Sequence, residues 1–389
     1  MADGKTLGRL PRFSTIGYSE KRNLAKAMKH ELSGYLGGRV EAGYWCTRLA
    51  DEWSKAFEVK YSIPCNSATS GLLAACMAAG IGPGTEVWTT AYSMSATAAC
   101  AKVLGARIVF IDIETIRFSM NMNNFRGTPP KAIIVANLFG HPAYLSTMRS
   151  WCDSNKVVMI EDNAQSPFAT ENGKYAGTVG HMGVFSLNVH KHIQSGEGGV
   201  VVSNDANLAA AVRGAINHGE LADGVAGLNL RMAEPIAAIS CAQLAKAPWV
   251  ISDRIAWAEE ITAMFEGVPF VQPSIADVGC RHVYYMWTAR VLNGQRHHLV
   301  KRLQDAGVPM REGYSPSLPS IFDKDQKCPT VDTMERSQLI SFEVCAYDPR
   351  SQQRKKMKEI VRRACNDVAV VSSPSNRMRQ GEGDGLRPD

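Results

Sequence analysis

Lys191 sits inside Phe185-Ser186-Leu187-Asn188-Val189-His190-Lys191-His192-Ile193-Gln194-Ser195-Gly196-Glu197-Gly198-Gly199, between a strand-like segment and the apolar run Val200-Val201-Val202. A lysine on a solvated turn needs no explanation. It becomes a nucleophile only where a fixed site keeps the amine neutral or ties it to a carbonyl, and the glycines that follow mark backbone passing close to something. Two further stretches could complete such a site. Glu161-Asp162-Asn163-Ala164-Gln165 supplies a carboxylate and, a few residues on, an amide. Cys65-Asn66-Ser67-Ala68-Thr69-Ser70-Gly71 is a small polar turn ahead of the run Leu72 to Ala79. Free N–H groups and the positive end of a helix dipole at such a turn favour an anion, usually a phosphate. Each stretch also has an ordinary reading: a loop lysine, a strand-end carboxylate, and a Ser/Thr helix cap.

These groups meet only if the elements between them form a sheet with its strand ends on one side. Glu86 to Thr89, Arg107 to Asp112, Lys131 to Leu138, Val157 to Ile160, Gly183 to Leu187 and Val200 to Ser203 read as strands. Helical stretches at Ala96 to Leu104, Ser146 to Asn155 and Ala206 to Ile216 alternate with them. Near-continuous Val/Ile runs separated by helices predict a parallel sheet covered on both faces. Such sheets bind ligands at the carboxyl ends of their strands, where Asp162 and the turn Thr90 to Thr97 fall. Upstream, helical periodicity over 19–33 puts Leu24, Met28 and Leu32 on one face, and over 46–57 it does so for Leu49, Trp53 and Phe57. After a helix at Glu234 to Ala245, a boundary is expected near Trp249 to Arg254. A smaller unit then follows, with a strand Val283 to Arg290 and helices Arg296 to Ala306 and Arg354 to Ala364. The expected division is a large domain over 1–250, a small α/β domain over 251–366, and a disordered tail over 367–389.

Composition narrows the class. The chain has 389 residues, 45% apolar and 21% charged, enough for a real core. Its net charge of +6 is scattered, and the densest basic stretch, Arg354 to Arg363, has the spacing of a solvated helix face. Nucleic acid is therefore not expected as a partner. The ten cysteines form no C-x-x-C pair, so zinc is not expected and a reduced, cytoplasmic setting is. No stretch has the apolar length of a membrane span or a signal-peptide core.

An amine for an aldehyde, a carboxylate for a pyridinium nitrogen and a phosphate cradle are together what pyridoxal 5'-phosphate requires of a protein. With them in place, the chain resembles the DegT/DnrJ/EryC1/StrS sugar aminotransferase family, of the aspartate aminotransferase fold type I. Cys65 to Leu72 resembles the family's S-x-G-T-x-A-L, with Ala68 in the glycine place and Thr69 kept. Glu161 to Gln165 resembles E-D-x-A-Q, and Phe185-Ser186 with Lys191 to Gly199 resembles F-S followed by K-x-x-x-x-G-E-G-G. Gly227 to Met232 resembles N-Y-R-M, and Arg281 to Tyr285 is similar to the H-x-Y-Y strand. The resemblance covers roughly residues 20 to 365, with its three central motifs in the family's order and spacing.

That resemblance implies a large domain with a mostly parallel seven-stranded sheet and a smaller C-terminal α/β domain. It makes Lys191 the Schiff-base lysine and proton carrier, sets Asp162 against the pyridine nitrogen and sets Gln165 against the phenolic oxygen. Ala68, Thr69 and Ser186 would bind the phosphate, joined by Asn229 from the second subunit of a homodimer. The turn Thr90 to Thr97 matches one that carries an aromatic residue stacked on the ring. Its place falls on Met94, with Tyr92 two residues earlier, and both stay candidates. Relatives with histidine in the lysine's place run a dehydration, but counting back from Gly196-Glu197-Gly198-Gly199 puts Lys191 there, not His192. His190 and His192 read as loop or core residues, Tyr284 and Tyr285 as core and pocket wall.

The implied activity is ping-pong transamination from an amino acid, glutamate or glutamine, to a keto-sugar or keto-cyclitol. Pyridoxamine 5'-phosphate would stand between the half-reactions. A sugar dehydratase and a non-catalytic regulatory or binding protein are the alternatives. Loops Gly34 to Gly43, His218 to Leu228 and Tyr314 to Pro319 are expected to meet the acceptor.

Overall fold

The computed structural model describes residues 6–29, 32–33, 43–220 and 226–371. Seven strands, β1 Tyr61–Cys65, β2 Glu86–Thr90, β3 Arg107–Ile111, β4 Ala132–Ala136, β5 Val158–Asp162, β6 Met182–Ser186 and β7 Gly199–Ser203, form one sheet in the order β1-β7-β6-β5-β4-β2-β3. Neighbours from β3 to β6 are parallel, whereas β7 runs antiparallel to both β6 and β1. All five residues of β4 are buried, as a strand covered by helices on both faces must be. The expected fold class is the one observed. Because β2, β5 and β6 share a direction, their carboxyl ends carry Thr90, Asp162 and Ser186 to the same side.

Seven helices surround the sheet: α1 Tyr18–Ala27, α2 Tyr44–Phe57, α3 Ala68–Ala78, α4 Ala96–Lys102, α5 Leu145–Asn155, α6 Ala206–Ile216 and α7 Glu234–Met264. In α2, Leu49, Trp53 and Phe57 are buried, as their spacing predicts. The first helix differs. It ends at Ala27 and buries Glu20, Asn23 and Ala27, while Met28 and Leu32 are exposed. A polar network decides this. The Glu20 carboxylate accepts from Gly17 N, Lys246 Nζ and Gln243 Nε2, and Asn23 donates to Ala238 O. Those partners on α7 turn the polar face inward and leave an apolar stripe outside.

The boundary expected near Trp249 to Arg254 is no break. A single 31-residue helix, α7, crosses it with Pro248 in its interior. A proline there costs about 3 kcal/mol. Val250, Ile251, Trp257 and Ile261 are all buried just beyond it, and each such side chain contributes roughly 1.5–3 kcal/mol, so packing wins. The first half of α7 packs on α1 and α2, and the second half joins the core of the smaller unit.

That unit has a four-stranded antiparallel sheet in the order Val271–Pro273, Trp287–Val291, Leu339–Phe342, Arg311–Glu312. Helices Arg296–Asp305 and Ser351–Val371 pack on it through Leu299, Leu303, Met357 and Val361. The strand expected from Val283 begins only at Trp287. Val283 N donates to Gly140 O and Met286 N to Phe139 O, so the segment between them is tied to the large sheet instead. Tyr284 takes φ +49° there, and a Cβ on Gly140 would lie 2.5 Å from Tyr284 N. Residues 367–371 of the expected tail continue the last helix, and 372–389 lie outside the described residues.

Candidate active site

A cavity of about 260 Å³ brings together Ala68, Thr69, Met94, Asp162, Gln165, Ser186 and Lys191. Of the residues singled out from sequence, Tyr92 and Asn229 stand outside its wall.

At one end, Ser67 caps α3, its Oγ accepting from Ser70 N at 3.1 Å. The N–H groups of Ala68 and Thr69 have no acceptor among the described residues; they belong to the helix's orphan first turn. Gly199 packs directly behind this turn, where a Cβ would come within 2.6 Å of Ala68 N. The Ser186 hydroxyl, at the end of β6, accepts only a long bond from Asn188 N, 3.3 Å. Unspent N–H donors, a hydroxyl and a helix N-terminus suit a phosphate.

At the other end, Asp162 is 7% exposed and accepts from two neutral donors, Thr97 Oγ1 at 2.6 Å and Ala164 N at 3.2 Å. No lysine or arginine among the described residues lies at ion-pair distance from it. Burial raises its pKa, with Thr97, Ala164 and the Lys191 charge opposing. A buried carboxylate held this way is stabilised by a cation entering the cavity. Its neighbour Glu161 is spent on structure, accepting from Gly177 N, Val179 N, Gly180 N and Asn137 Nδ2.

Lys191 Nζ lies 4.2 Å from the centroid of the Tyr285 ring, which also lines the cavity. Burial lowers its pKa to about 8, against the pull of Asp162. His192 faces away. Its Nε2 donates to Val283 O at 2.8 Å, and burial lowers its pKa to about 4, which keeps it neutral. Lys191 therefore faces the cavity and His192 does not, while His190, read from sequence as a loop or core residue, is also in its wall.

Gln165 is held from two sides: Oε1 accepts from Phe139 N at 2.8 Å, and Nε2 donates to Tyr314 Oη at 2.9 Å. Tyr92 is fully buried behind Tyr314, accepting Tyr314 N at 3.0 Å and packing edge-on to the rings of Tyr314 and Phe139. Of the two candidates for the ring face, Met94 is in the wall and Tyr92 is not. Asn229 is exposed, pairs through backbone with Asn217, and does not line its own chain's cavity. Tyr284 joins the small-unit core while Tyr285 is pocket wall. Sequence reasoning missed Thr97 as a partner of Asp162, although the turn ending at Thr97 was placed at a strand end. It also missed the pairing of Tyr314 with Gln165, which no local pattern could reveal across 149 positions.

Residues 24–346 match the DegT/DnrJ/EryC1/StrS aminotransferase family. The GDP-perosamine synthase of Caulobacter vibrioides is 32% identical over 69% of this chain and 77% of its own length. The UDP-2-acetamido-2-deoxy-3-oxo-D-glucuronate aminotransferase of Pseudomonas aeruginosa is 29% identical over 80% and 88%. Among solved structures, an aminotransferase from Psychrobacter cryohalolentis superposes with a TM-score of 0.82 at 21% identity, covering 93% of this chain and 100% of that one.

Proposed function

The chain belongs to the DegT/DnrJ/EryC1/StrS aminotransferase family, and we propose how this cavity carries out pyridoxal-phosphate-dependent transamination. The residues present fit the cofactor: a buried carboxylate with no cation at ion-pair distance among the described residues, an amine whose pKa burial lowers to about 8, and N–H groups at a helix start without acceptors among the described residues. The presence of Lys191 and Asp162 in one cavity carries the reading.

Ala68, Thr69 and Ser186 bind the phosphate. Asp162 would hold the proton on the pyridine nitrogen, Gln165 would donate to the phenolic oxygen, and Met94 would cover one ring face through its polarisable sulfur. Bound there, pyridoxal phosphate supplies an electron sink for the charge left at the donor's α-carbon. Lys191 holds the cofactor between turnovers. With its amine free, Lys191 would be the base that moves the donor's α-proton, a role suited to an amine whose pKa burial lowers to about 8. The walls of Leu72, Leu138 and Tyr285 limit water around it.

The amino donor is glutamate or glutamine. The acceptor is the ketone of a sugar, most simply one linked to a nucleotide, as the names of the relatives support. Asn229 acts across a homodimer interface. It is exposed and outside its own cavity, and Tyr18, Met28, Leu32 and Tyr44 leave an apolar surface at the N-terminal helices. Sedimentation at a single chain's mass of 42.4 kDa would refute the dimer. All ten cysteines are free and no described helix is long and apolar enough to cross a membrane, which supports a reduced, cytoplasmic setting.

Adding glutamate to the holoenzyme tests the reaction. The visible cofactor band bleaches, and among keto-sugars and keto-cyclitols the true acceptor restores it while gaining the amine. A band that glutamate leaves untouched would mark a binding protein. Turnover of the sugar without nitrogen in the product would mark a dehydratase.

A further inference from the structure

The segment Gly313 to Leu318 lies as a strap across the turn after β2. Leu318 N donates to Ala91 O, Tyr314 N to Tyr92 Oη, and Ser315 Oγ to Ser93 O. Three successive residues of one turn thus hold the strap, and the strap holds Tyr314 in the cavity wall beside Lys191, Gln165 and Tyr285.

The direction of the hydrogen bonds follows from what each group can do. Phe139 N–H can only donate, so the Gln165 atom facing it is Oε1, and the atom facing Tyr314 is the amide nitrogen. Tyr314 Oη is therefore an acceptor towards Gln165, and its own hydrogen must point elsewhere. None of the described residues receives it. Burial pushes this phenol up to about 12, so it remains a donor at working pH.

The cavity wall, among the described residues, contains no arginine. An amino acid that presents its amine at the position of Lys191 carries its α-carboxylate one bond from the same carbon. Both oxygens of that group are acceptors only, and Lys191 is occupied by the chemistry. A sugar hydroxyl, by contrast, can donate as well as accept and needs no such partner.

We propose that Tyr314 is a substrate-binding residue whose O–H receives the α-carboxylate of the amino donor, aimed by Gln165 and pre-positioned by the strap on Ala91, Tyr92 and Ser93. This rests on the transamination reading above.

The test compares wild type with Tyr314→Phe, which keeps the ring contacts to Phe139 and Tyr92, in single-turnover bleaching by glutamate. Losing one hydrogen bond to a carboxylate raises the apparent Kd for glutamate about tenfold or more. The cofactor's own Kd and the acceptor half-reaction, which involve no α-carboxylate, change much less than the glutamate Kd does. In wild type alone, the decarboxylated counterpart 4-aminobutyrate bleaches the band much less efficiently than glutamate, and this preference shrinks in the variant. An unchanged glutamate Kd, or an acceptor half-reaction impaired as much as the donor one, overturns the proposal while leaving transamination intact. A wild-type protein with no cofactor band overturns both.

Discussion

Thr97 Oγ1 donates to Asp162 Oδ2 across 2.6 Å, and Ser93 Oγ lies 2.8 Å from the same hydroxyl. Because Thr97 has one hydrogen and gives it to the carboxylate, Ser93 must be the donor in the second contact. A short relay thus leads from the turn after β2 to the carboxylate that faces the cavity. Thr97→Val keeps the shape and removes the donor. A hydrogen bond to a charged group contributes about 1.5–3 kcal/mol, so cofactor affinity falls roughly tenfold to a hundredfold in a spectroscopic titration. Thr97 also opposes the burial that raises the pKa of Asp162. In the variant the carboxyl therefore stays protonated to higher pH, and the acid limb of cofactor binding moves upward.

Lys191 sets a second pH dependence, through a pKa that burial moves in the opposite direction. Burial holds its pKa at about 8, below the ordinary lysine value. Only the neutral amine attacks a carbonyl. In cofactor-free protein the rate of pyridoxal phosphate capture should rise about tenfold per pH unit below that pKa and level off above it. Stopped-flow absorbance from pH 6 to 10 reads this directly. A rate still climbing in proportion at pH 10 would mean an unperturbed lysine.

Gly199 is tested by a single added methyl group. A Cβ there would press within 2.6 Å of Ala68 N and of the Ser67 carbonyl carbon. Gly199→Ala should displace the turn whose N–H groups cradle the phosphate, weakening phosphate-bearing pyridoxal far more than phosphate-free pyridoxal. Equal weakening of both would place the damage elsewhere.

These residues mark what the sequence could and could not reveal. Six strands of the large sheet are legible because each is a compact apolar run between turn signals, whereas Tyr61–Cys65, broken by Ser62 and Pro64, is not legible as a strand. Asp162, Lys191 and the Ala68 turn are legible because each motif is contiguous. The buried face of α1 was not, because Glu20 and Asn23 find partners on α7 that no helical periodicity records. Nor was the late start of the strand at Trp287, which Gly140 and Phe139 impose from far along the chain. Thr97 and Tyr314 escaped notice for the same reason: their partners are distant in sequence.

The open choice between Met94 and Tyr92 yields a further prediction. Met94→Phe restores an aromatic side chain in the cavity wall and should leave the cofactor bound as tightly or more so, with a shifted absorption maximum. Tyr92→Phe removes the acceptor of Tyr314 N. It should lower stability by about 1–3 kcal/mol, the cost of an unsatisfied buried donor, while the absorption maximum stays in place. A spectral shift in the Tyr92 variant and none in the Met94 variant would reverse the assignment.

The most direct measurement is borohydride reduction of the purified holoenzyme followed by peptide mass spectrometry. The account predicts a visible band that reduction erases, with the cofactor's mass fixed on the peptide carrying Lys191, and neither band nor adduct in Lys191→Ala. A colourless wild-type protein, or an adduct on any other lysine, would contradict it.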